Sequence, residues 1–106
     1  MDKQVALEDI EERRRSVGID DVELREAIRG LRVGDHVRLT LLASPKASAG
    51  ETLLVRITRI RSPRFWGELA EKPASPSFAD LPLGSRVAFT TSHIHSLSEG
   101  GHARAY

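Results

Sequence analysis

Apolar and polar residues alternate along two stretches of this chain, and the same turn precedes both. Leu31-Arg32-Val33-Gly34-Asp35 leads into His36-Val37-Arg38-Leu39-Thr40-Leu41, and Leu81-Pro82-Leu83-Gly84-Ser85 leads into Arg86-Val87-Ala88-Phe89-Thr90. An apolar-x-apolar-Gly step closed by a small polar residue makes a turn, and a period of two after it makes a half-buried strand. The first strand is expected over 36–42, with Val37, Leu39 and Leu41 inward and His36, Arg38 and Thr40 outward. A second is expected over 52–60, where Leu53, Val55 and Ile57 share one face with Leu54, Arg56 and Thr58 on the other. Ile60 breaks that parity, which calls for a bulge or a strand end tucked under the next turn. Arg61-Ser62-Pro63-Arg64 turns the chain back into an antiparallel third strand, Phe65 to Ala70.

Residues 71–80 carry two prolines and read as a longer surface connection anchored by Phe78. The second glycine turn launches a strand over 86–91 with Val87 and Phe89 inward, and residues 92–97 read as a 3₁₀ turn or a last short strand. Ser98 to Tyr106 has no apolar period and is expected to be a disordered tail. The segments that follow the two glycine turns differ, so the turns mark two entries into one sheet and not an internal duplication.

Ahead of the sheet, the pattern changes to a helical one. Residues 2–16 are charge-dense, with a thin apolar stripe of Val5, Ala6, Leu7 and Ile10, and with acids early and Arg13-Arg14-Arg15 late, as a helix dipole favours. Gly18 ends that stretch. A better-specified helix follows over 21–29: Asp20 is a competent N-cap with Glu23 three residues on, Leu24, Ala27, Ile28 and Leu31 form one stripe, and Gly30 sits at the C-cap. The expected fold is therefore α+β: an N-terminal helix or helical pair (1–30) on a small, strongly bent antiparallel sheet or SH3-like barrel of four to five strands (31–97), with the tail from 98.

Length and composition set the frame. The 106 residues fit one domain, and 40% hydrophobic with 29% charged residues is the balance of a globular chain. No apolar run approaches the ~18 residues of a membrane span, and the start Met1-Asp2-Lys3-Gln4 lacks the features of a signal peptide. With no cysteine, there is no disulfide, thiolate metal site or thiol nucleophile, and the expected location is the cytoplasm. The net charge of +1 hides an asymmetry: the first thirty residues are acidic and the rest basic. The two parts then either attract each other or leave the basic part to face an acidic partner, unless the charge is simply solvated.

The order of turns and strands resembles an uncharacterised bacterial family, the domain of unknown function numbered 2314. The segments that carry it are Gly34-Asp35-His36-Val37-Arg38-Leu39, Leu54-Val55-Arg56-Ile57, Gly67-Glu68-Leu69-Ala70-Glu71-Lys72-Pro73, Leu81-Pro82-Leu83-Gly84-Ser85-Arg86-Val87-Ala88-Phe89 and His93-Ile94. Leu54 stands where that family often has Trp, Glu71 where it often has Asn, and Ser96 where an Asp often follows the His-Ile pair. The resemblance implies a fold class and carries no activity.

Among residues with chemistry to offer, the arginines come first. Arg38 and Arg56 are expected on outward strand faces, with Arg59 and Arg64 nearby and Phe65 and Trp66 at the rim, one of the two aromatics pointing inward. Such a face suits a protein partner, a second copy of the chain, or a nucleic acid held by phosphate contacts and base stacking, the alternative being solvated arginines with Trp66 capping the core. His93 and His95 form His-x-His, which on a strand would point both rings to one face as a metal site wants, with His36 or His102 as a third ligand. The alternative is a surface pair, or one partly buried histidine satisfied by a backbone carbonyl. No Gly-x-Ser-x-Gly, Walker or Gly-x-Gly-x-x-Gly motif is present, so no catalytic residue and no cofactor is expected. The expected function is a non-enzymatic interaction module binding a protein partner. A nucleic-acid-binding barrel and a metal or hydrolytic protein centred on the two histidines are the alternatives.

Overall fold

The two glycine turns fold into the same hydrogen-bonded device. In the computed structural model, which describes residues 6–16, 22–44, 46–47 and 50–98, Gly34 has φ +99° and Gly84 has φ +86°, a region that residues with a Cβ adopt only at a cost. Gly34 N donates to Ile57 O (2.8 Å), Ile57 N donates to Asp35 O (2.8 Å), and Asp35 N donates to Arg32 O (3.0 Å). The second copy repeats each bond: Gly84 N to Leu69 O (2.9 Å), Leu69 N to Ser85 O (2.9 Å), and Ser85 N to Pro82 O (3.1 Å). Two residues thus oppose one on the neighbouring strand, a bulge led by a left-handed glycine. Each glycine turn starts a strand and at the same time hooks it onto its neighbour.

Those entries feed an antiparallel meander. Strand β2 (His36–Leu42) pairs with β3 (Gly50–Arg61), β3 with β4 (Arg64–Leu69), and β4 with β5 (Arg86–Thr90). The β3–β4 register slips between Ile57, opposite Gly67, and Arg59, opposite Trp66. Thr58 is the extra residue, and this bulge is the parity break that Ile60 signals: Ile60 lies opposite the inward Phe65. After β5 a 3₁₀ turn (Thr91–His93) carries the chain into β6 (Ile94–Leu97), which returns to the other edge of β2 at Val37 to Leu39. The sheet is a nearly closed barrel.

The rest of that β2 edge is taken by a strand absent from the sequence expectation. Ala6–Leu7 forms β1, opposite Leu42 and Leu41, and Glu8 N extends the pairing to Thr40 O (2.9 Å). The helix of residues 2–16, expected to be short, frayed or docked by few contacts, is α1 (Ile10–Ser16). Asp9 is its N-cap, its Oδ1 accepting from Glu12 N at 2.8 Å. Ile10 is buried, and Arg14 Nη2 donates to His95 O at 2.9 Å, tying α1 across the end of the 3₁₀ turn. Helix α2 (Val22–Arg29) forms where its stripe predicts, but none of its residues is buried. Ile28 and Leu31 pack against the core from outside, so α2 flanks the barrel.

Val37, Leu39, Leu41, Leu53, Val55, Ile57, Val87 and Phe89 all point into the core as the alternation predicts, joined by Phe65, Leu69 and Ile94. Phe78, at the end of a second 3₁₀ turn (Pro76–Phe78), is the buried anchor of the long connection. Two expectations are corrected. Thr40 is buried, its hydroxyl bonded to Thr52 Oγ1 at 2.8 Å. Ser98, expected to begin the tail, is buried and its N–H donates to His36 O at 3.1 Å. Gly18, the Asp20 cap, His102 and the tail from 99 lie outside the described residues. Among the described residues no helix is long and apolar enough to cross a membrane.

Candidate functional site

The sheet face that looks away from the core over β3, β4 and β5 carries its side chains in cross-strand rows. One row is His36, Arg56, Glu68 and Arg86; the next is Arg59, Trp66 and Ala88; the last is Arg64 and Thr90, beside Arg61 at the end of the hairpin. Without the bulge at Thr58, Arg59 would point to the core side; Thr58 Oγ1 holds the bulge by donating to Trp66 O at 3.2 Å. The Arg59 guanidinium carbon consequently lies 5.0 Å from the centre of the Trp66 ring, a cation–π contact.

The expected site residues separate into four groups. Arg59, Arg64 and Trp66 come together, with Arg61 added. Among the described residues Arg59, Arg61 and Arg64 form no ion pair. Arg56, one row away, is neutralised by Glu68 at 3.0 Å. Arg38 lies outside the cluster, opposite Leu54 on β3, five residues and so about 17 Å along that strand from Arg59. Phe65 is corrected from the rim to the core: it is 3% exposed and stacked on Phe89, with ring centres 5.3 Å apart and planes 8° from parallel.

Strand β5 ends the sheet, and among the described residues no strand pairs with its other edge. Its phase is fixed by Leu69 N donating to Ser85 O. In an antiparallel ladder, bonded pairs alternate, so Val87 and Phe89 exchange bonds with Gly67 and Phe65. The main-chain groups of Arg86, Ala88 and Thr90 therefore face away from β4. A recess of about 260 Å³ lies here, lined by Arg64, Phe65, Trp66, Ala88, Phe89, Thr90 and His93. Its far end is closed by His93, whose Nδ1 accepts from Thr90 N at 3.0 Å.

His93 and His95 do not form the expected strand pair, because the 3₁₀ turn places His93 in a capping position and leaves His95 alone on β6. Burial pulls the His93 pKa below its ordinary value, against the opposing pull of the Asp9 carboxylate. The neutral ring accepts at Nδ1, which puts its proton on Nε2. His95 Nδ1 lies 3.1 Å from Ser96 Oγ. Among the described residues no three His, Asp or Glu side chains come together as a metal set. The spacing Thr90-x-x-His93 is the signal that sequence reading passed over, since it repeats the Ser/Thr-x-x-Glu/Gln capping pattern with a histidine in the last place.

A second cleft of about 430 Å³ lies between Ala43, Gly50 and Glu51 and the connection at Ala74 to Phe78. Glu51 is engaged within it: its carboxylate accepts from Ala74 N (2.7 Å) and Ser75 N (2.9 Å). Around Arg38, the positions Leu54, Glu71 and Ser96 meet. Arg38 pairs with Leu54 and Ser96, and Glu71 Oε1 accepts from Leu54 N at 3.0 Å. No family model matches the chain, and neither the curated proteins nor the solved structures contain a match to it.

Proposed function

We propose that this protein is a non-enzymatic interaction module that takes a protein partner on the face formed by Arg59, Arg61, Arg64 and Trp66. The observation that carries this reading is the Arg59–Trp66 contact beside arginines that form no ion pair among the described residues. A half-buried Trp under a guanidinium offers apolar area together with charge, the residue pair most enriched in energetically dominant interface positions. The connectivity supports a barrel of the SH3-like kind: a meander of four strands, a 3₁₀ turn, and a final strand returning to the first long one. Kinship with the family numbered 2314 is a proposal on the same footing, supported by the placement of its matching segments on β2 to β6 and the turns between them.

The test is affinity capture from the native cell with the wild-type chain, Trp66→Ala and Arg59→Glu. A partner retained by the wild type and lost in both variants is the expected result. A partner held equally by all three overturns the reading. The second reading, nucleic acid, is favoured by the same three arginines; it predicts affinity falling steeply with salt for single strands or duplexes.

A further inference from the structure

Resting on that reading, we infer that the partner presents an acidic linear segment, whose carboxylates seat on the facing arginines Arg61 and Arg64 and whose apolar side chain enters the recess beside Trp66. The first observation is one of register. Arg61 and Arg64 stand directly opposite one another as the last pair of the β3–β4 hairpin, and Arg59 occupies the adjoining row. Like charges so placed destabilise a sheet. None of the three arginines forms an ion pair among the described residues, and the carboxylates in the neighbourhood are engaged elsewhere: Glu68 with Arg56, and Asp9, the acid that acts on His93, as the N-cap of α1. The fold therefore holds a repulsive pair that an anion would relieve.

The second observation is the recess that adjoins this pair. Ala88 and Thr90 are the small members of the rows that hold Trp66 and Arg64, so the surface drops there between those two side chains and His93. Its volume of about 260 Å³ falls below the roughly 300–1,000 Å³ of small-molecule sites and suits a single apolar side chain. The two seats lie one row apart, about 7 Å along the strands, so one short segment reaches both. Charge then chooses the occupant. A second copy docking through the same face would set three further arginines against these three, a like-charge juxtaposition that opposes association. A nucleic acid would satisfy the arginines but would stack a base on Trp66, one face of which Arg59 already covers. An acidic segment meets both seats with side chains alone. It asks nothing of the main chain of β5, where Arg86 is engaged and Thr90 N is bonded to His93.

Trp66 is the only tryptophan in the chain, so its emission reports directly on the site. The full-length protein is titrated with the blocked peptide Glu-Glu-Phe-Glu-Glu. Comparison peptides carry Gln or Lys at every Glu, or Ala in place of Phe. A saturable change in Trp66 emission is expected with the acidic peptide, weaker by roughly tenfold with Gln and roughly fivefold with Ala, and absent with Lys. Arg61→Glu and Arg64→Glu should each weaken the acidic peptide and admit the Lys peptide. Arg38→Glu, the same charge change away from the cluster, should do neither. Because Arg61→Glu turns a repulsive cross-strand pair into an attractive one, it should also raise the thermal midpoint by a few degrees, a readout that a misfolded variant would not give. A lowered midpoint in Arg61→Glu, no saturable change up to millimolar acidic peptide, or equal binding of the acidic and Gln peptides overturns the inference while leaving the capture experiment to decide the broader reading. An oligothymidylate that binds more tightly than the peptide overturns both.

Discussion

Ser85 stands to Leu69 as Asp35 stands to Ile57, each lending its carbonyl to the opposed N–H, but the two side chains close their turns from opposite ends. Asp35 Oδ2 accepts from Arg32 N at 2.9 Å, whereas Ser85 Oγ donates to Pro82 O at 2.7 Å. Proline at 82 has no N–H to give, so an acceptor at 85 would have nothing to accept. A hydroxyl serves there and a carboxylate does not. Ser85→Asp should therefore destabilise the chain by about 1–2 kcal/mol, a carboxylate now facing a carbonyl, and Asp35→Ser by less. Gly84→Ala should cost about 1–2 kcal/mol although nothing lies within 4 Å of the added methyl, because the penalty is purely conformational. Urea midpoints of the three variants measure this, and an unchanged Gly84→Ala midpoint would contradict the turn geometry.

Phe65 and Trp66 are neighbours with opposite duties, and truncation should separate them. Phe65→Ala removes a fully stacked core ring and should cost about 3–5 kcal/mol. Trp66→Ala, on the outer face, should cost less than half as much and should instead abolish partner binding. Thermal melts alongside capture assays distinguish the two.

His93 makes stability depend on pH in a defined direction. Its folded pKa lies below its ordinary value of 6.5, so the unfolded chain binds the proton more readily. The stabilisation is complete above about pH 6.5 and is lost as pH falls through the folded value, where the protonated ring can no longer accept from Thr90 N. His93→Gln keeps an acceptor in the capping position and removes the titration. Denaturant midpoints at pH 7.5 and pH 5.5 should differ more in the wild type than in His93→Gln; equal differences would remove His93 as the cause.

Glu51 pins the connection of residues 71–78 to the start of β3 through two main-chain N–H groups. Hydrogen bonds to a carboxylate are worth about 1.5–3 kcal/mol when shielded, and less at this partly exposed site. Glu51→Ala should lower global stability by about 1 kcal/mol and should accelerate chymotryptic cleavage after Phe78. An unchanged cleavage rate would show that Phe78 alone anchors the segment.

Much of the barrel could be read in the chain because its information is local. The parity of Val37, Leu39 and Leu41 sets one strand, the break at Ile60 announces a bulge, and the spacing from Leu24 to Leu31 sets α2. What escaped reading depends on partners distant in sequence. Ala6 and Leu7 carry no strand pattern of their own; they are extended because β2 leaves an edge unfilled beside them. Glu51 looks like any surface acid until the connection folds over it. The choice between Phe65 and Trp66 hung on the register at Thr58, and the His-x-His spacing misled because a 3₁₀ turn intervenes. The arginine cluster was partly legible: Arg59, Arg64 and Trp66 were foreseen, but Arg56 was already taken by Glu68 and Arg38 lies elsewhere.

The edge of β2 shared by β1 and β6 has a consequence for the order in which the chain folds. Among themselves, strands β2 to β5 pair only as neighbours in sequence and can zip one after another, whereas completing the sheet needs a segment from each end of the described chain to arrive at β2. Those are the contacts with the longest loops and the greatest entropic cost. Docking of β1 and β6 on β2 is thus the last event of folding and the first to be undone. Main-chain amides of β1 and β6 will exchange with solvent while those of the β3–β4 hairpin remain protected.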